Sequence, residues 1–276
     1  MKIKFLGTAA AEGIPALYCQ CDICKHAWQN GGKNIRTRCQ TLINDELLID
    51  FGPDTYKHVL DYKVPIDMIH HVLITHKHAD HFYHNDLLYR RPGYASKVDN
   101  GPLNVYGTKP TFDKVDEMVV RENMSDYLQA HLITPFVPFK VMDYEVTPLL
   151  ANHDQRAGAV IYLIKKDNQT ILYAHDTGKF EPETWDYLAN ANIKLDLLSL
   201  DCTAFGKTNW GWGHLSFDCF LQVVDKLKEM KIVDENTVII ANHFSHNGEA
   251  SYDKMEQVAK EHNVIVSYDG MEVNIW

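Results

Sequence analysis

The amino-acid sequence predicts an α/β fold in which two β-sheets pack together and helices cover their outer surfaces. Strand-like and helix-like segments alternate twice along the chain, and hairpin-like segments stand at the start of each half. No linker, internal repeat or low-complexity stretch divides the 276 residues. A chain of this length can bury one large core, and we therefore expect a single domain spanning residues 1–276.

The first half of the chain is predicted to contain alternating strands and helices. The strands are expected where β-branched and apolar residues cluster without a breaker, at 2–7, in both arms of a hairpin at 41–50, and at 71–75, 103–107, 134–141 and 144–149. Helices are expected at about 54–62, 85–91 and 109–123. In the last helix Phe112, Val115 and Met118 recur at helical spacing, which indicates a face packed on the core.

The second half repeats this alternation. A hairpin pairs residues 158–164 with 170–174 around Asp167-Asn168, and further strands are expected at 195–201, 238–242, 264–267 and 271–275. Helices are expected at about 181–191, after His214-Leu215-Ser216, and at about 251–261. Each of the strands that ends at 174, 201 and 242 leads into a loop with polar, metal-ligand side chains.

Composition and charge restrict the classes of function. The formal net charge of −10 argues against a long nucleic acid as the main substrate, because phosphate-backbone binding needs clustered Lys and Arg. No apolar run is long enough to span a bilayer. The first residues alternate like a strand and lack the apolar stretch of a signal peptide. We therefore expect a cytoplasmic protein without a membrane partner.

One hexapeptide carries the strongest chemical signal in the chain. His76-Lys77-His78-Ala79-Asp80-His81 follows the predicted strand at 71–75, so that four metal-ligand side chains stand in one loop. In a turn, the first two histidines can close on one metal ion, and Asp80 and His81 can reach a second. Imidazole and carboxylate groups suit Zn²⁺, Fe or Mn²⁺, and such a cluster indicates a metal or catalytic site.

Other candidate site residues follow later strands. His153 and Asp176 come after the strands ending near 149 and 174, and one carboxylate such as Asp176 can bridge two metal ions. Asp50 has two interpretations: it orients the histidine loop by accepting hydrogen bonds, or it caps the helix expected from about residue 54. Arg90 and Arg91 either meet a substrate phosphate or serve as structural arginines.

A cysteine cluster near the N-terminus indicates a second kind of metal site. Cys19-Gln20-Cys21-Asp22-Ile23-Cys24 can supply three thiolates to one tetrahedral Zn²⁺. The fourth ligand must come from elsewhere, with His246 as the first candidate and His26 as the second. The alternative is a loop with three reduced thiols and no metal, which would be open to oxidation.

The hexapeptide and the residues around it resemble the metallo-β-lactamase superfamily, along essentially the whole chain. The resemblance implies a four-layer αββα sandwich and a site with two metal ions and a bridging water. It assigns one ion to His76, His78, His153 and Asp176, and the other to Asp80, His81, Asp176 and His243.

Within that superfamily the chain is similar to the cyclic phosphodiesterase of phosphonate degradation, a relative of the tRNA 3′-processing endonucleases. The resemblance implies a structural zinc held by the cysteine cluster and His246, and a catalytic role for Asp80 and His214. In this sequence the loop before His214 reads Trp210-Gly211-Trp212-Gly213 instead of a charged, proline-rich segment. The substrate therefore stays open at this point.

The predicted activity is hydrolysis of small cyclic or nucleotide-like phosphodiesters. Two divalent ions would lower the pKa of the bridging water, and the resulting hydroxide would attack phosphorus in line. His214 would either donate a proton to the leaving oxygen or stabilise the equatorial charge. The alternative is that His214 is only a residue at a helix N-terminus, without a catalytic role. The alternatives to the predicted activity are hydrolysis of a lactone or thioester, an RNA-processing endonuclease, and a metal-binding scaffold without activity. The sequence does not choose between Zn²⁺ and Mn²⁺, and a homodimer is compatible with it.

Overall fold

A computed structural model of the chain describes residues 1–98 and 101–276. Within these residues the strands are β1 Lys2–Gly7, β2 Gln40–Ile43, β3 Leu47–Ile49, β4 His71–Leu73, β5 Leu103–Gly107, β6 Leu128–Leu132, β7 Phe139–Val141, β8 Tyr144–Leu150, β9 Val160–Lys166, β10 Gln169–Ala174, β11 Leu197–Asp201, β12 Val238–Asn242, β13 Ile265–Val266 and β14 Met271–Asn274. The α-helices are α1 Asp22–Asn30, α2 Thr55–Tyr62, α3 Lys109–Arg121, α4 Pro182–Asn190, α5 Phe217–Glu229 and α6 Tyr252–Lys260. In the part of the chain that is described, none of these helices combines the length and apolar character needed to cross a bilayer.

The strands form two seven-stranded mixed sheets. The first has the order β14-β1-β2-β3-β4-β5-β6 and the second β13-β12-β11-β10-β9-β8-β7. Strands β10 to β13 are parallel, and β8 runs in the same direction because it is antiparallel to β9, which is antiparallel to β10. The carboxyl ends of β8, β10, β11 and β12 therefore meet at one edge of the second sheet.

Three apolar clusters separate four layers. One lies between the sheets and includes Phe5, Tyr162 and Tyr173. A second lies between the second sheet and its helices, where α5 buries a stripe that includes Phe220 and Leu227. A third packs α2 and α3 against the first sheet. Since each sheet has one face on the other sheet and one under helices, the predicted arrangement of two packed sheets with helices outside is confirmed.

Four predicted segments need correction. The strand predicted at 134–141 is shorter, Phe139–Val141, and a separate strand, β6, precedes it. The sequence predicts that Cys19, Cys21 and Cys24 stand in one short loop, but α1 begins at Asp22 and places Cys24 inside a helix. The segment predicted as helix at 85–91 is a 3₁₀ helix at His84–Arg90. The strand predicted from His71 to Thr75 ends at Leu73.

Candidate metal centre

The polar residues at the ends of these strands converge in one place. The hexapeptide follows β4, and His153, Asp176 and His243 follow β8, β10 and β12. Loops at the carboxyl ends of strands are where α/β proteins place their sites. Gly52 allows the close approach of two of these loops, because a Cβ atom there would lie 2.1 Å from the backbone oxygen of Asp80.

One group of ligand atoms contains three imidazoles. His76 Nε2 lies 2.9 Å from His78 Nδ1, and His153 Nε2 lies 3.3 Å from the same atom. All three nitrogens lie within 4.8 Å of one another. Tetrahedral ligands at 2.0–2.1 Å from a zinc ion stand about 3.3 Å apart, so these distances fit a single ion.

A second group lies next to the first. His81 Nε2 is 3.1 Å from Asp80 Oδ2, and Asp80, His81 and His243 offer ligand atoms within 4.8 Å of one another. The carboxylate of Asp176 connects the two groups. Its Oδ1 lies 3.7 Å from His153 Nε2, while its Oδ2 lies 2.9 Å from His81 Nε2 and 2.8 Å from His243 Nε2. One oxygen therefore faces each group, as a bridging carboxylate requires.

Three buried atoms at the centre lack hydrogen bonds among the described residues: His81 Nε2, Asp176 Oδ2 and His243 Nε2. Asp176 Oδ2 lies 2.9 Å from His81 Nε2 and 2.8 Å from His243 Nε2, without the angles of a hydrogen bond. Buried polar atoms are almost always satisfied, and orphaned atoms that converge on one point are what a cation would satisfy. The residues present therefore fit a pair of divalent metal ions.

The other ring nitrogen of most histidines is held by the protein. The Nδ1 atoms of His76, His81, His153 and His243 lie 2.6–3.2 Å from acceptors, namely the Thr75 hydroxyl, the Asp50 carboxylate, the Gly213 carbonyl and the Thr203 hydroxyl. Each Nδ1–H donates there, so that each Nε2 lone pair faces the centre. His78 is the exception, because its Nδ1 faces the centre and its Nε2 lies 3.5 Å from Asp154.

Electrostatics at the centre favour positive charge. Burial alone would lower the pKa of His243, but Asp176 and Asp201 outweigh it and raise that pKa to about 10. Burial would likewise raise the pKa of Asp176, yet His243 and His81 hold it well below its ordinary value. Burial keeps the pKa of His76 well below its ordinary value, so this imidazole is neutral, as a metal ligand must be. Carboxylates that stabilise a buried proton will equally stabilise a cation in its place.

Asp50 orients the histidine loop. Its carboxylate accepts hydrogen bonds from the Thr75 amide at 2.8 Å, from the Thr75 hydroxyl at 2.9 Å and from His81 Nδ1 at 2.6 Å. It does not cap α2, because the residue before that helix is Asp54. The structure therefore supports the interpretation in which Asp50 orients the histidine loop, and not the one in which it caps a helix.

Asp201, at the end of β11, is a site residue that the sequence reasoning missed. Its carboxylate is fully buried and accepts hydrogen bonds from the amides of Asp176, Thr203 and Leu215 and from His214 Nδ1 at 3.0 Å. Burial acts to raise its pKa, but His214 and His243 outweigh burial and lower it. An acidic residue at the carboxyl end of a buried strand is the signal that identified Asp176, and it was available here too.

We expect Asp201→Asn to lower kcat/KM for the hydrolysed substrate by about 10–100-fold, the range for residues that orient metal ligands. The amide nitrogen would face N–H donors, which would displace His214 and His243. Asp196→Asn is the matched control, because Asp196 precedes the same strand and accepts the Thr170 amide hydrogen bond at 2.7 Å. Equal activity of Asp201→Asn and the parent, measured in steady state, would contradict this role.

His214 lies beside the two groups. Its Nδ1 contacts Asp201 and the Thr203 hydroxyl, and its ring stacks on His243 with a centroid distance of 5.5 Å. One open cavity of about 410 Å³ is lined by His214 together with five of the ligand residues, His78, Asp80, His153, Asp176 and His243. Arg90 and Arg91 are not among its lining residues; they bond the Gly101 carbonyl and Glu122 instead. Of the two interpretations of these arginines, the structure supports a structural role and not contact with a substrate phosphate.

The cysteine cluster forms a separate group. Cys19, Cys21, Cys24 and His246 offer ligand atoms within 4.8 Å of one another, and the first two sulfurs lie 3.5 and 3.4 Å from His246 Nδ1. Sulfur and nitrogen ligands on one tetrahedral zinc stand roughly 3.5 Å apart. Of the two candidates for the fourth position, the structure brings His246 to the cluster, whereas His26 bonds Asn30 within α1.

The cysteine cluster touches the wall of the cavity. His246 Nε2 lies 3.7 Å from Glu12 Oε1, and the Ser245 hydroxyl donates a hydrogen bond to the same oxygen. Glu12 and Asn247 line the cavity, and Asn247 bonds Glu12 at 3.3 Å. The segment that begins at His243 therefore contributes His243 to the metal centre and His246 to the cysteine cluster.

The cluster favours one thiolate over another. Burial would raise the pKa of Cys21, but hydrogen bonds from the Cys24 amide, His246 and the neighbouring thiols outweigh it and lower the pKa to about 6. Burial raises the pKa of Cys24 to about 12. A cation shared by the sulfurs would offset the cost of ionising the buried thiol.

Comparison with known proteins gives three kinds of match. Residues 46–234 match the family model described as the beta-lactamase superfamily domain. An octanoyltransferase of Porphyromonas gingivalis is 29% identical over 163 residues, covering 55% of this chain and 31% of that protein. The coenzyme PQQ synthesis protein B of Methylobacterium radiotolerans is 30% identical over 139 residues, covering 46% of this chain and 43% of that protein. The match thus spans less than half the length of either curated relative.

Several solved structures share the fold over essentially the whole chain. Zn²⁺-bound PqqB from Methylobacterium extorquens superimposes with a TM-score of 0.75 at 20% identity, covering 100% of both chains. A diphosphatase from the PhnP family gives 0.72 at 19%, covering 100% of this chain and 98% of that one. The short form of human tRNase Z gives 0.67 at 17%, covering 100% of both. At these identities the likeness establishes the metallo-β-lactamase αββα fold alone.

Proposed function

The chain belongs to the β-lactamase superfamily, and we propose that it is a metal-dependent phosphodiesterase acting on small cyclic or nucleotide-like phosphodiesters. The bridging position of Asp176 carries this proposal, because its two oxygens face two adjacent groups of ligand atoms. Two metal ions that share a carboxylate are a common arrangement for in-line displacement at phosphorus. The fold that this chain shares with a PhnP-family diphosphatase and tRNase Z also supports the proposal that the substrate contains phosphate.

The residues assigned to the ions are those that the sequence predicted. His76, His78, His153 and Asp176 would hold one ion, and Asp80, His81, Asp176 and His243 the other. When bound, the two ions supply an activated water and neutralise charge on the phosphoryl oxygens.

Charge also favours an anionic substrate. Asp80 and Asp176 bring two negative charges to the ligand set, and two divalent ions bring four positive ones, so the ions and their direct protein ligands together keep a net positive charge. A phosphodiester monoanion uses that charge, whereas a neutral lactone or thioester does not.

His214 would act on the leaving group. Asp201 holds its Nδ1 at 3.0 Å, which leaves Nε2 free to carry a proton into the cavity. Burial would lower the pKa of His214, but the Asp201 carboxylate outweighs it and raises the pKa. A protonated imidazole in this position can donate to the alkoxide that departs from phosphorus.

His214→Ala is expected to lower kcat by about 10²–10⁴-fold, the usual contribution of general acid catalysis, while metal content stays at the parent value. The loss should be smaller with p-nitrophenolate than with an alkyl leaving group, because the weaker base needs less protonation. An equal loss with both leaving groups would argue against proton donation. Loss of metal would indicate that His214 is a ligand.

An activity panel tests the proposal as a whole. The purified protein would be loaded with Zn²⁺ or Mn²⁺ and assayed on bis(p-nitrophenyl) phosphate, a cyclic phosphodiester, a lactone and an acyl thioester. The thioester represents the second candidate activity, since a metal pair also polarises carbonyl groups and one relative is an octanoyltransferase. We expect turnover of the phosphodiesters to dominate. Turnover confined to the lactone or thioester would overturn the proposal.

A further inference from the structure

One wall of the cavity is formed by the tryptophan loop (206–213). Trp210 lines the cavity together with Asp176 and His214, and half of its surface, 51%, is exposed. An indole is among the largest apolar groups of a protein, and one that stands half exposed in the wall of a cleft offers a flat apolar face to a molecule bound there. The cavity of about 410 Å³ has the size of a small-molecule site.

The backbone of this loop is fixed next to Trp210. The Trp210 amide donates to the Ser216 hydroxyl at 3.1 Å, and its carbonyl accepts from the Ser216 amide at 2.8 Å. Gly178 allows the loop to pack closely, because a Cβ atom there would lie 2.4 Å from the Gly211 oxygen. The loop therefore presents the indole from a defined position instead of letting it collapse onto the surface.

The same loop is tied to the metal centre. The Gly213 carbonyl accepts the hydrogen bond from His153 Nδ1 at 3.2 Å, and the Gly213 amide donates to Asn152 Oδ1 at 3.0 Å. Trp210 is therefore held at a fixed place relative to a candidate metal ligand. A group attached to a phosphate at that centre can reach the indole within one cavity.

Charges at the rim restrict what that group can be. Lys207 is the one lysine or arginine among the described residues that line the cavity, and it is paired with Glu249. Glu12 adds a second carboxylate to the lining, and the His246 imidazole lies 3.7 Å from it. With one cation against two carboxylates, the rim repels a second phosphate. It accepts hydrogen-bond donors such as sugar hydroxyls or amino groups.

We propose that Trp210 is a stacking platform for a nucleobase, and that the substrate is a nucleoside-sized diester with a single phosphate. This assignment rests on the proposed function and deepens it. Every nucleobase has a flat face that can stack on an aromatic side chain. An uncharged base also suits a rim that repels further phosphates. The two features of the cavity thus specify one substrate class.

A pair of cyclic esters tests this assignment on the metal-loaded full chain. Adenosine 2′,3′-cyclic monophosphate and glycerol 1,2-cyclic phosphate carry the same five-membered cyclic phosphodiester, with and without a base. The parent is expected to prefer the adenosine ester in kcat/KM. Trp210→Ala should reduce that preference by roughly 5–150-fold, the range that alanine substitution gives for base–aromatic stacking, and Trp210→Phe should retain part of it.

Trp212→Ala is the matched control, because Trp212 belongs to the same loop and is 77% exposed but does not line the cavity. It should leave the preference unchanged. Binding gives a readout that does not depend on turnover: adenosine 5′-monophosphate should quench the fluorescence of the parent and of Trp212→Ala more than that of Trp210→Phe.

The failures of the two proposals can be told apart. Equal hydrolysis of both cyclic esters by the parent, or an unchanged preference in folded Trp210→Ala, would overturn the stacking platform alone. Hydrolysis of neither ester by the metal-loaded parent would overturn the platform, and it would overturn the phosphodiesterase assignment as well if bis(p-nitrophenyl) phosphate were also not hydrolysed.

Discussion

Replacing His76 with alanine is expected to lower kcat/KM for a phosphodiester by on the order of 10³-fold or more, since a bound metal ion contributes several kcal/mol of charge stabilisation. His76 is buried, and its Nε2 lies 2.9 Å from His78 Nδ1 at the heart of the three-imidazole group. Alanine removes one nitrogen from that group and also removes the partner of the Thr75 hydroxyl. The two sheets that carry the loop do not depend on this contact, so the fold should persist.

Metal analysis and circular dichroism accompany the activity measurement. His76→Ala should bind fewer active-site ions than the parent while keeping a parent-like spectrum and a cooperative thermal transition. His262→Ala is a suitable control, because that histidine is exposed and lies against Phe217, away from the cavity. Parent-like turnover in a folded His76→Ala protein would remove the basis for the assigned ligand set.

Cys21→Ser is expected to remove a zinc ion from the cysteine cluster and to lower the melting temperature. Loss of even about 2 kcal/mol of the free energy that a structural zinc supplies to folding corresponds to a fall of roughly 3–4 °C for a chain of this size. The Cys21 sulfur lies 3.4 Å from His246 Nδ1, and its pKa is held at about 6, so it is the thiol best prepared to bind zinc.

Calorimetry and zinc analysis measure this effect, and two histidine variants complete the design. His246→Ala should lose the same ion as Cys21→Ser, whereas His26→Ala should keep it, because His26 lies outside the cluster. A chelator should lower the melting temperature of the parent more than that of Cys21→Ser. If Cys21→Ser matched the parent in zinc content and stability, the structural-zinc proposal would fail.

Elements with a strong local pattern could be predicted from the sequence. Strand β1, the hairpin of β9 and β10, and helix α6 have the predicted type and nearly the predicted bounds. Their apolar residues recur with one clear period, which local spacing alone can reveal. The four-layer arrangement required the family resemblance, because periodicity does not specify which sheet face meets which helix.

Two elements were missed for identifiable reasons. In β6, Leu128, Ala130 and Leu132 alternate with polar residues, which is a strand signal, but the more apolar segment at 134–141 drew the prediction. Pro135 and Pro138 in that segment should have counted against a long strand. Helix α1 has no side-chain hydrogen bond at its N-cap and buries only Cys24 and Ala27, so its helical pattern is weak.

The candidate site likewise has residues that could be predicted from a local motif and one that could not. The hexapeptide is local in sequence, and its motif alone identified His76, His78, Asp80 and His81. Asp201 was missed, although it connects His214, His243 and the Asp176 amide, because its partners come from distant parts of the chain. Contacts between the ends of separate strands follow from the sheet order, which no short motif encodes.

The short segment from His243 to Asn247 joins two chemically different centres. Its first residue belongs to the carboxylate-bridged group, and its fourth belongs to the sulfur-rich one, with Glu12 contacting the latter at the cavity wall. A change in the sulfur-rich centre is therefore expected to reach the bridged group. Oxidation of the cysteines during purification in air should lower turnover even when every residue of the bridged group is intact. Specific activities of different preparations then become comparable only after the metal content of the cysteine cluster has been measured in each.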